Sequence, residues 1–247
     1  MALKKGNLAI DLYCGLGGWT EGLLAEGWDV TGFDIERHQY GEHQYPAQLV
    51  LQDILTLHGS QFKDASLIVA SPPCQFFSYT AMPWTRAKKL AADVRADPAR
   101  LKNELALFDA CFRIQREACE AAGRHIPLVV ENVRGAQPWV GRARYNYGSF
   151  YLWGDVPALP LPVVPARRVM KAGVTHRSDD STSFHGNKVP AETGVAGIKQ
   201  GGDWFNNSQP STLRCYSSKS SARKMASAMI AKIPQPLSRH VALSFKP

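Results

Sequence analysis

The chain has 247 residues, 45% of them apolar and 20% charged, which suffices for one α/β core with a small appendage and leaves little room for a second full domain. Its formal charge of +8 suits an acidic partner, for which nucleic acid is the usual candidate, although a solvated basic surface accounts for the same excess. No apolar run reaches membrane-spanning length, Met1 to Asn7 hold no apolar signal core, and Cys14, Cys74, Cys111, Cys119 and Cys215 form no CxxC pair; a cytosolic protein with free thiols is expected, without disulfide framework or cysteine-rich zinc site.

Leu8-Ala9-Ile10-Asp11-Leu12 reads as a short apolar strand. The glycine turn Tyr13-Cys14-Gly15-Leu16-Gly17-Gly18 follows, and helical spacing begins at Trp19. Glycines admit a ligand close to the backbone and a helix N-terminus offers free N–H groups, but the spacing is neither that of a Walker loop nor a clean GxGxxG. The next predicted strands, Asp29 to Asp34 and Leu49 to Ile54, also carry acids toward their ends. Asp11, Asp34 and Asp53 therefore recur at the edge where a nucleoside-bearing cofactor would lie, or else cap helices.

Leu67-Ile68-Val69-Ala70 has the length and apolarity of a fully buried parallel strand. Ser71-Pro72-Pro73-Cys74-Gln75 then ends it on a stiff loop, as a positioned nucleophile requires, although a free cysteine is as readily a packing residue. Phe76, Phe77 and Tyr79 precede Arg86, Lys88, Lys89, Arg95, Arg100 and Lys102, a pattern that suits a loop meeting phosphates or a plain solvated helix face. Asn103 to Ala122 has the periodicity of an amphipathic crossover helix in which Cys111 and Cys119 pack. Ile126 to Val133 is a further buried strand that delivers Glu131 and Asn132 to its end.

Arg134, Arg142 and Arg144 precede a predicted strand over Ser149 to Trp153. From Pro157 to Leu213 the periodicity fades into a segment rich in proline, glycine and serine whose aromatic cluster is Trp204-Phe205-Asn206-Asn207, either a recognition insert or an irregular surface loop. Ala222 to Ile233 reads as a helix stopped by Pro234 and Pro236. The expected organisation is a catalytic and cofactor-binding domain over 1–156, a recognition or insert region over 157–213, and a C-terminal helix within 214–247 that returns to the catalytic domain.

Taken together and in order, Asp11-Leu12-Tyr13-Cys14-Gly15-Leu16-Gly17-Gly18, Ser71-Pro72-Pro73-Cys74-Gln75 and Glu131-Asn132-Val133 resemble the cytosine-C5 DNA methyltransferase family. The resemblance covers roughly the first two thirds of the chain, with a fainter echo in the closing helix. It implies a doubly wound, mostly parallel class I methyltransferase fold that uses S-adenosylmethionine. Asp11, Tyr13, Gly15, Gly17, Gly18, Asp34, Ile35, Asp53, Ile54 and Pro73 then fall where the family holds that cofactor, with Tyr13 against the adenine, Asp34 at the ribose and Asp53 at the adenine amine. An adenine-N6 enzyme would instead carry an Asp/Asn-Pro-Pro-Tyr/Phe loop.

The chemistry agrees with the residue types. Cytosine C5 is a poor nucleophile, so a thiolate must first add at C6, which assigns Cys74, while a carboxyl at N3 and the amine assigns Glu131. C6 is out of reach within a stacked duplex, so the base must be flipped out, and the expected partner is double-stranded DNA acted on by a monomer in a prokaryotic or phage-infected cytoplasm. The family's Gln-x-Arg-x-Arg segment is reduced to Val140-Gly141-Arg142-Ala143-Arg144, so Arg142 and Arg144 are the candidates to hold the base. An ungapped reading places Ser218-Lys219-Ser220 where the family has Gly-Asn-Ser, which brings Lys219 and Ser220 to the cofactor. An ammonium there would repel a sulfonium but pair with a carboxylate, so carboxy-S-adenosylmethionine is a second candidate donor, beside a lysine that faces solvent or phosphate. Methylation of an RNA cytosine and a non-catalytic DNA-binding role are rival readings of the same residues.

Overall fold

The computed structural model describes residues 7–78, 84–157 and 220–247. Five strands run parallel, and alternate residues of the central ones feed two separate cores. The strands are β1 (Leu8–Leu12), β2 (Asp29–Asp34), β5 (Gln48–Leu51), β6 (Leu67–Ala70) and β7 (Leu128–Asn132). Between β2 and β5 the chain forms a separate two-stranded hairpin, β3 (Gln39–Tyr40) and β4 (His43–Gln44). Ile10, Ile68, Leu128 and Val130 pack into one core, and Ala9, Leu67, Val69 and Val129 into the other. A strand buried on both faces cannot alternate apolar with polar residues, which is why these segments read as continuous apolar runs.

The antiparallel hairpin β8 (Tyr145–Tyr147) and β9 (Phe150–Gly154) completes the main sheet, giving the order β5-β2-β1-β6-β7-β9-β8 with β9 paired to β7. This is the doubly wound, mostly parallel sheet that the resemblance implied. The strand order reverses between β1 and β6, and open α/β sheets bind ligands beyond the carboxyl ends of the strands at such a switch point. The loops after Leu12 and Ala70 leave the sheet there.

The described helices are α1 (Gly18–Ala25), α2 (Trp84–Ala96), α3 (Pro98–Ala122), α4 (Gln137–Val140), α5 (Ser221–Ala231) and α6 (Gln235–Ser244). On one face α1 packs against α6, whose Leu237 and Val241 are fully buried. On the other, α3 lays Phe108, Cys111, Ile114 and Ala118 on the sheet. No described helix is long and apolar enough to cross a membrane.

Several expected boundaries move. The crossover helix starts at Pro98 rather than Asn103, because the Asp97 carboxylate accepts the Ala99 and Arg100 N–H groups and caps it there. The strand expected to reach Ile54 stops at Leu51, and Asp53 instead caps a 3-10 turn over Ile54–Thr56 by accepting the Leu55 N–H at 2.9 Å. The single closing helix is two: Pro234 is the cap of α6 and Pro236 lies in its first turn, so prolines that read as a stop also start the next helix. The region 157–213, apart from its first residue, lies outside the described residues, as does its Trp204 cluster.

Candidate active site

β6 and β7 lie side by side with Ala70 level with Val130, so the proline loop and Glu131-Asn132 leave one edge together. The Ser71 N–H donates to the Leu12 carbonyl at 3.1 Å, and its hydroxyl accepts the Trp19 indole N–H at 2.9 Å, which binds the loop to β1 and α1. On the other side the Asn132 amide donates to the Pro72 carbonyl at 3.0 Å, while its Oδ1 accepts the Val133 N–H at 2.8 Å. Asn132 is wholly buried and Glu131 nearly so. One buried amide thus ties the chain two residues before Cys74 to the residue after Glu131.

Cys74 is a half-buried free thiol. Its carbonyl accepts the Phe77 N–H at 3.0 Å and the Ser78 hydroxyl at 2.8 Å, which closes a tight turn. Phe77 drops from that turn into the core. The cysteine is therefore held from both sides of the loop, and its side chain is not committed to the interior as those of Cys14 and Cys111 are.

The glycine turn is left-handed at Tyr13 (φ 58°), Gly15 (φ 50°) and Gly17 (φ 76°). Gly17 and Gly18 serve packing: a Cβ at Gly17 would lie 2.5 Å from the Pro46 ring, and one at Gly18 would collide with the Ile233 backbone. A Cβ at Gly15 would meet nothing within 4 Å. Gly15 alone of the three borders open space, and its N–H donates to Asp34 Oδ2 at 2.9 Å.

Two acids at this edge are tuned in opposite directions. Burial opposes the Asp34 charge, but His38 and the N–H groups of Gly15 and Glu36 outweigh it and hold the carboxyl below the usual range. Asp11 is fully buried, and desolvation pushes its pKa up to about 7 against a hydrogen bond from Thr20, with Asp34 adding to the rise. Thr20 Oγ1 lies 2.7 Å from both Asp11 Oδ2 and the Tyr45 hydroxyl, while Asp11 Oδ1 has no partner among the described residues.

Residues 8–94, from β1 through most of α2, match the family model described as C-5 cytosine-specific DNA methylase. That match covers 87 of the 247 residues, and the likeness to C-5 cytosine-specific DNA methylases is confined to them. Among solved structures, a DNA modification methyltransferase encoded within an E. coli prophage is similar at 24% identity and TM-score 0.34, over 52% of this chain and 32% of that one. S. pombe Dnmt2 methyltransferase is similar at 18% identity and TM-score 0.34, over 54% of this chain and 36% of its own. The Entamoeba histolytica methyltransferase EhMeth is similar at 18% identity and TM-score 0.34, over 56% and 41%. The matches thus span about a third to two fifths of the length of these solved structures. No curated protein matches the chain.

At the switch point the described residues leave open space at Gly15, an unpartnered carboxylate oxygen on Asp11, and Ile35 with 71% of its surface exposed beside Asp34, a set compatible with S-adenosylmethionine. Of the other residues expected at that cofactor, Asp53 has one oxygen engaged in its cap, Ile54 is buried in the core, Pro73 is exposed, and the Tyr13 hydroxyl donates to the Leu107 carbonyl at 2.8 Å. Ser220 precedes α5 and its carbonyl accepts the Lys224 N–H; Lys219 lies outside the described residues. Arg142 and Arg144 lie on the approach to β8, the outermost strand. Tyr145 is level with Leu152 and Leu152 with Glu131, so β9 intervenes between that segment and β7, a backbone separation of about 10 Å.

Trp19, Thr20, Tyr45 and His38 hold this site and carried no sequence signal, since each acts through a contact that only the fold creates. Asp11 yields a pH-dependent prediction. An unfolded aspartic acid releases its proton near 3.8 and the folded one near 7, so between those values the folded chain holds a proton that the unfolded chain has lost. Stability then falls as pH rises through that window and stays at the lower value above it. Asp11→Asn is expected to be more stable than the wild type at pH 8, by roughly 1 to 4 kcal/mol, with the difference vanishing near pH 4. Thermal denaturation at both pH values checks this, and an equal difference at both would contradict it.

Proposed function

We propose that the chain is a DNA cytosine-C5 methyltransferase that uses S-adenosylmethionine. The observation that carries the reading is the Asn132 amide on the Pro72 carbonyl, which holds the Cys74 loop and the Glu131 strand end together at the switch point beside the glycine turn. The family match over 8–94 supports the same reading.

Cys74 adds as a thiolate to C6 of a flipped cytosine, and the electron pair released from the C5–C6 double bond makes C5 an enamine carbon. Glu131 holds a proton at N3 and accepts from the exocyclic amine, which draws charge away from the ring as the thiolate adds. The cofactor supplies an electrophilic methyl group at C5 when bound. A water molecule then takes the C5 proton, the C5–H pair re-forms the C5–C6 double bond and expels Cys74 as thiolate, and the N3 proton returns to Glu131. Gly15, Asp34 and Ile35 would hold the cofactor, with Asp11 beneath the turn. The Asn132 bridge and the Trp19 contact to Ser71 keep the loop in register with both.

The substrate in this reading is duplex DNA bound by a monomer, with cations on α2 and the start of α3 (Lys88, Lys89, Arg95, Arg100 and Lys102) following the loop that carries Cys74. The domain division at 156 and 213 belongs to the same proposal. A carboxylated donor rests on Lys219 alone, and nothing among the described residues supports it. Transfer of labelled methyl groups to mixed-sequence duplex DNA and to tRNA, followed by nucleoside analysis, tests the proposal. 5-Methyldeoxycytidine is expected; label confined to tRNA, or methyl groups on N4, would overturn it.

A further inference from the structure

We propose that Trp139 is a positioning residue for the nucleophile, bracing the segment just after Cys74 against the helix that follows it; this rests on reading Cys74 as the nucleophile. Trp139 lies on α4, eight residues beyond Glu131 on the same stretch of chain. Phe76, two residues after Cys74, packs its ring against the indole at a centroid distance of 5.3 Å and a tilt of 55°. Further along, the Arg95 guanidinium near the end of α2 lies over the same indole, 5.8 Å from its centroid. One side chain therefore meets the segment just after the nucleophile and the helix beyond it, and it does so from the chain that carries the second reacting group.

The seat is itself fixed. The Gly141 carbonyl at the end of α4 accepts the Trp153 indole N–H at 3.0 Å, and the Gln137 side chain accepts the Ala143 N–H at 3.2 Å. Trp153 stacks edge-on against Phe108 at 5.5 Å, and Phe108 faces Phe77 at 6.4 Å, so the floor under Phe76 and Phe77 is continuous with the core. Trp139 itself is only half-buried and borders an open groove with Leu105, Phe112 and Val140. Truncating it opens no sealed cavity, so the fold survives the substitution and the loop loses its seat.

The consequence is kinetic. A reacting atom displaced by about 1 Å costs up to about a hundredfold in rate even when the altered residue is remote from the chemistry. Trp139→Ala is expected to slow single-turnover capture of a 5-fluorocytosine duplex at least about tenfold, with cofactor affinity within about twofold of wild type. Trp139→Phe keeps an aromatic seat and is expected to restore the rate to within about threefold. A second readout needs no turnover: iodoacetamide should alkylate Cys74, followed by peptide mass, at least about threefold faster in Trp139→Ala than in wild type or Trp139→Phe. Unchanged alkylation of Cys74, or capture as fast as wild type in Trp139→Ala, would overturn the proposal, as would a rate loss matched by an equal loss of cofactor affinity. If the wild type captures no DNA while the alkylation pattern holds, the methyltransferase reading fails and the clamp stands.

Discussion

Cys74→Ala is expected to abolish methyl transfer, with a loss of at least about 10⁴-fold in turnover, while cofactor affinity stays within about twofold of wild type. Methylation at C5 has no route that avoids covalent addition at C6, so no other group substitutes for the thiol. The neighbouring cysteines are unsuited: Cys14 and Cys111 are buried, and burial pushes both thiols far up. The structural cost is small, because the half-buried Cys74 is held through its backbone carbonyl by Phe77 and Ser78, contacts that alanine keeps. Initial rates on duplex DNA and a cofactor titration check this together. Activity above about one hundredth of wild type would remove Cys74 from the chemistry.

Glu131→Gln is expected to lower turnover by about 10²- to 10⁴-fold, the usual contribution of a positioned acid or base, with little change in cofactor affinity. The glutamine amide keeps the shape and can still accept from the exocyclic amine or donate to N3. It cannot deliver a proton there, so the negative charge that arrives with the thiolate stays on the ring. Glu131 is 2% exposed at the end of β7, and the neutral amide is cheaper to bury than a carboxylate, so a fall in stability does not account for the loss. Single-turnover rates at saturating cofactor measure the effect directly. A rate within about tenfold of wild type would mean that the base is protonated from elsewhere.

The central parallel strands and the residues at their ends were legible because burial on both faces leaves continuous apolar runs that stop abruptly at Ser71 and Glu131. The helical face of α3 was legible for the same reason, since Phe108, Cys111, Ile114 and Ala118 recur at helical spacing. The two-residue strands β3 and β4 were too short to show a period, and β8 lies in a run of tyrosine and asparagine with no apolar alternation. α6 was hidden by Pro234 and Pro236, which mark a helix start as readily as an end.

Within the site, the glycines look like one cradle in the sequence, and the fold separates them. Pro46 fills the space over Gly17 and Ile233 that over Gly18, both contacts set by distant chain, and only Gly15 is open. Arg142 and Arg144 match a spacing pattern, and the fold sets them in the short connection between α4 and β8. Asn132 was visible as a residue and not as a bridge, because its partner Pro72 lies 60 positions away. Trp139 was invisible for the same reason: a lone aromatic means nothing until Phe76 and Arg95 are seen against it.

The most direct measurement is to incubate the protein with S-adenosylmethionine and duplex DNA carrying 5-fluorocytosine in many sequence contexts, then determine the intact mass and map the modified peptide. Fluorine at C5 blocks the final elimination, so the thiolate that adds to C6 stays attached. The account predicts a covalent complex whose added mass includes the methylated fluorocytosine strand and whose attachment maps to Cys74. Attachment at any other residue, or turnover of ordinary cytosine to 5-methylcytosine with no trapped complex on the fluorinated duplex, would contradict it.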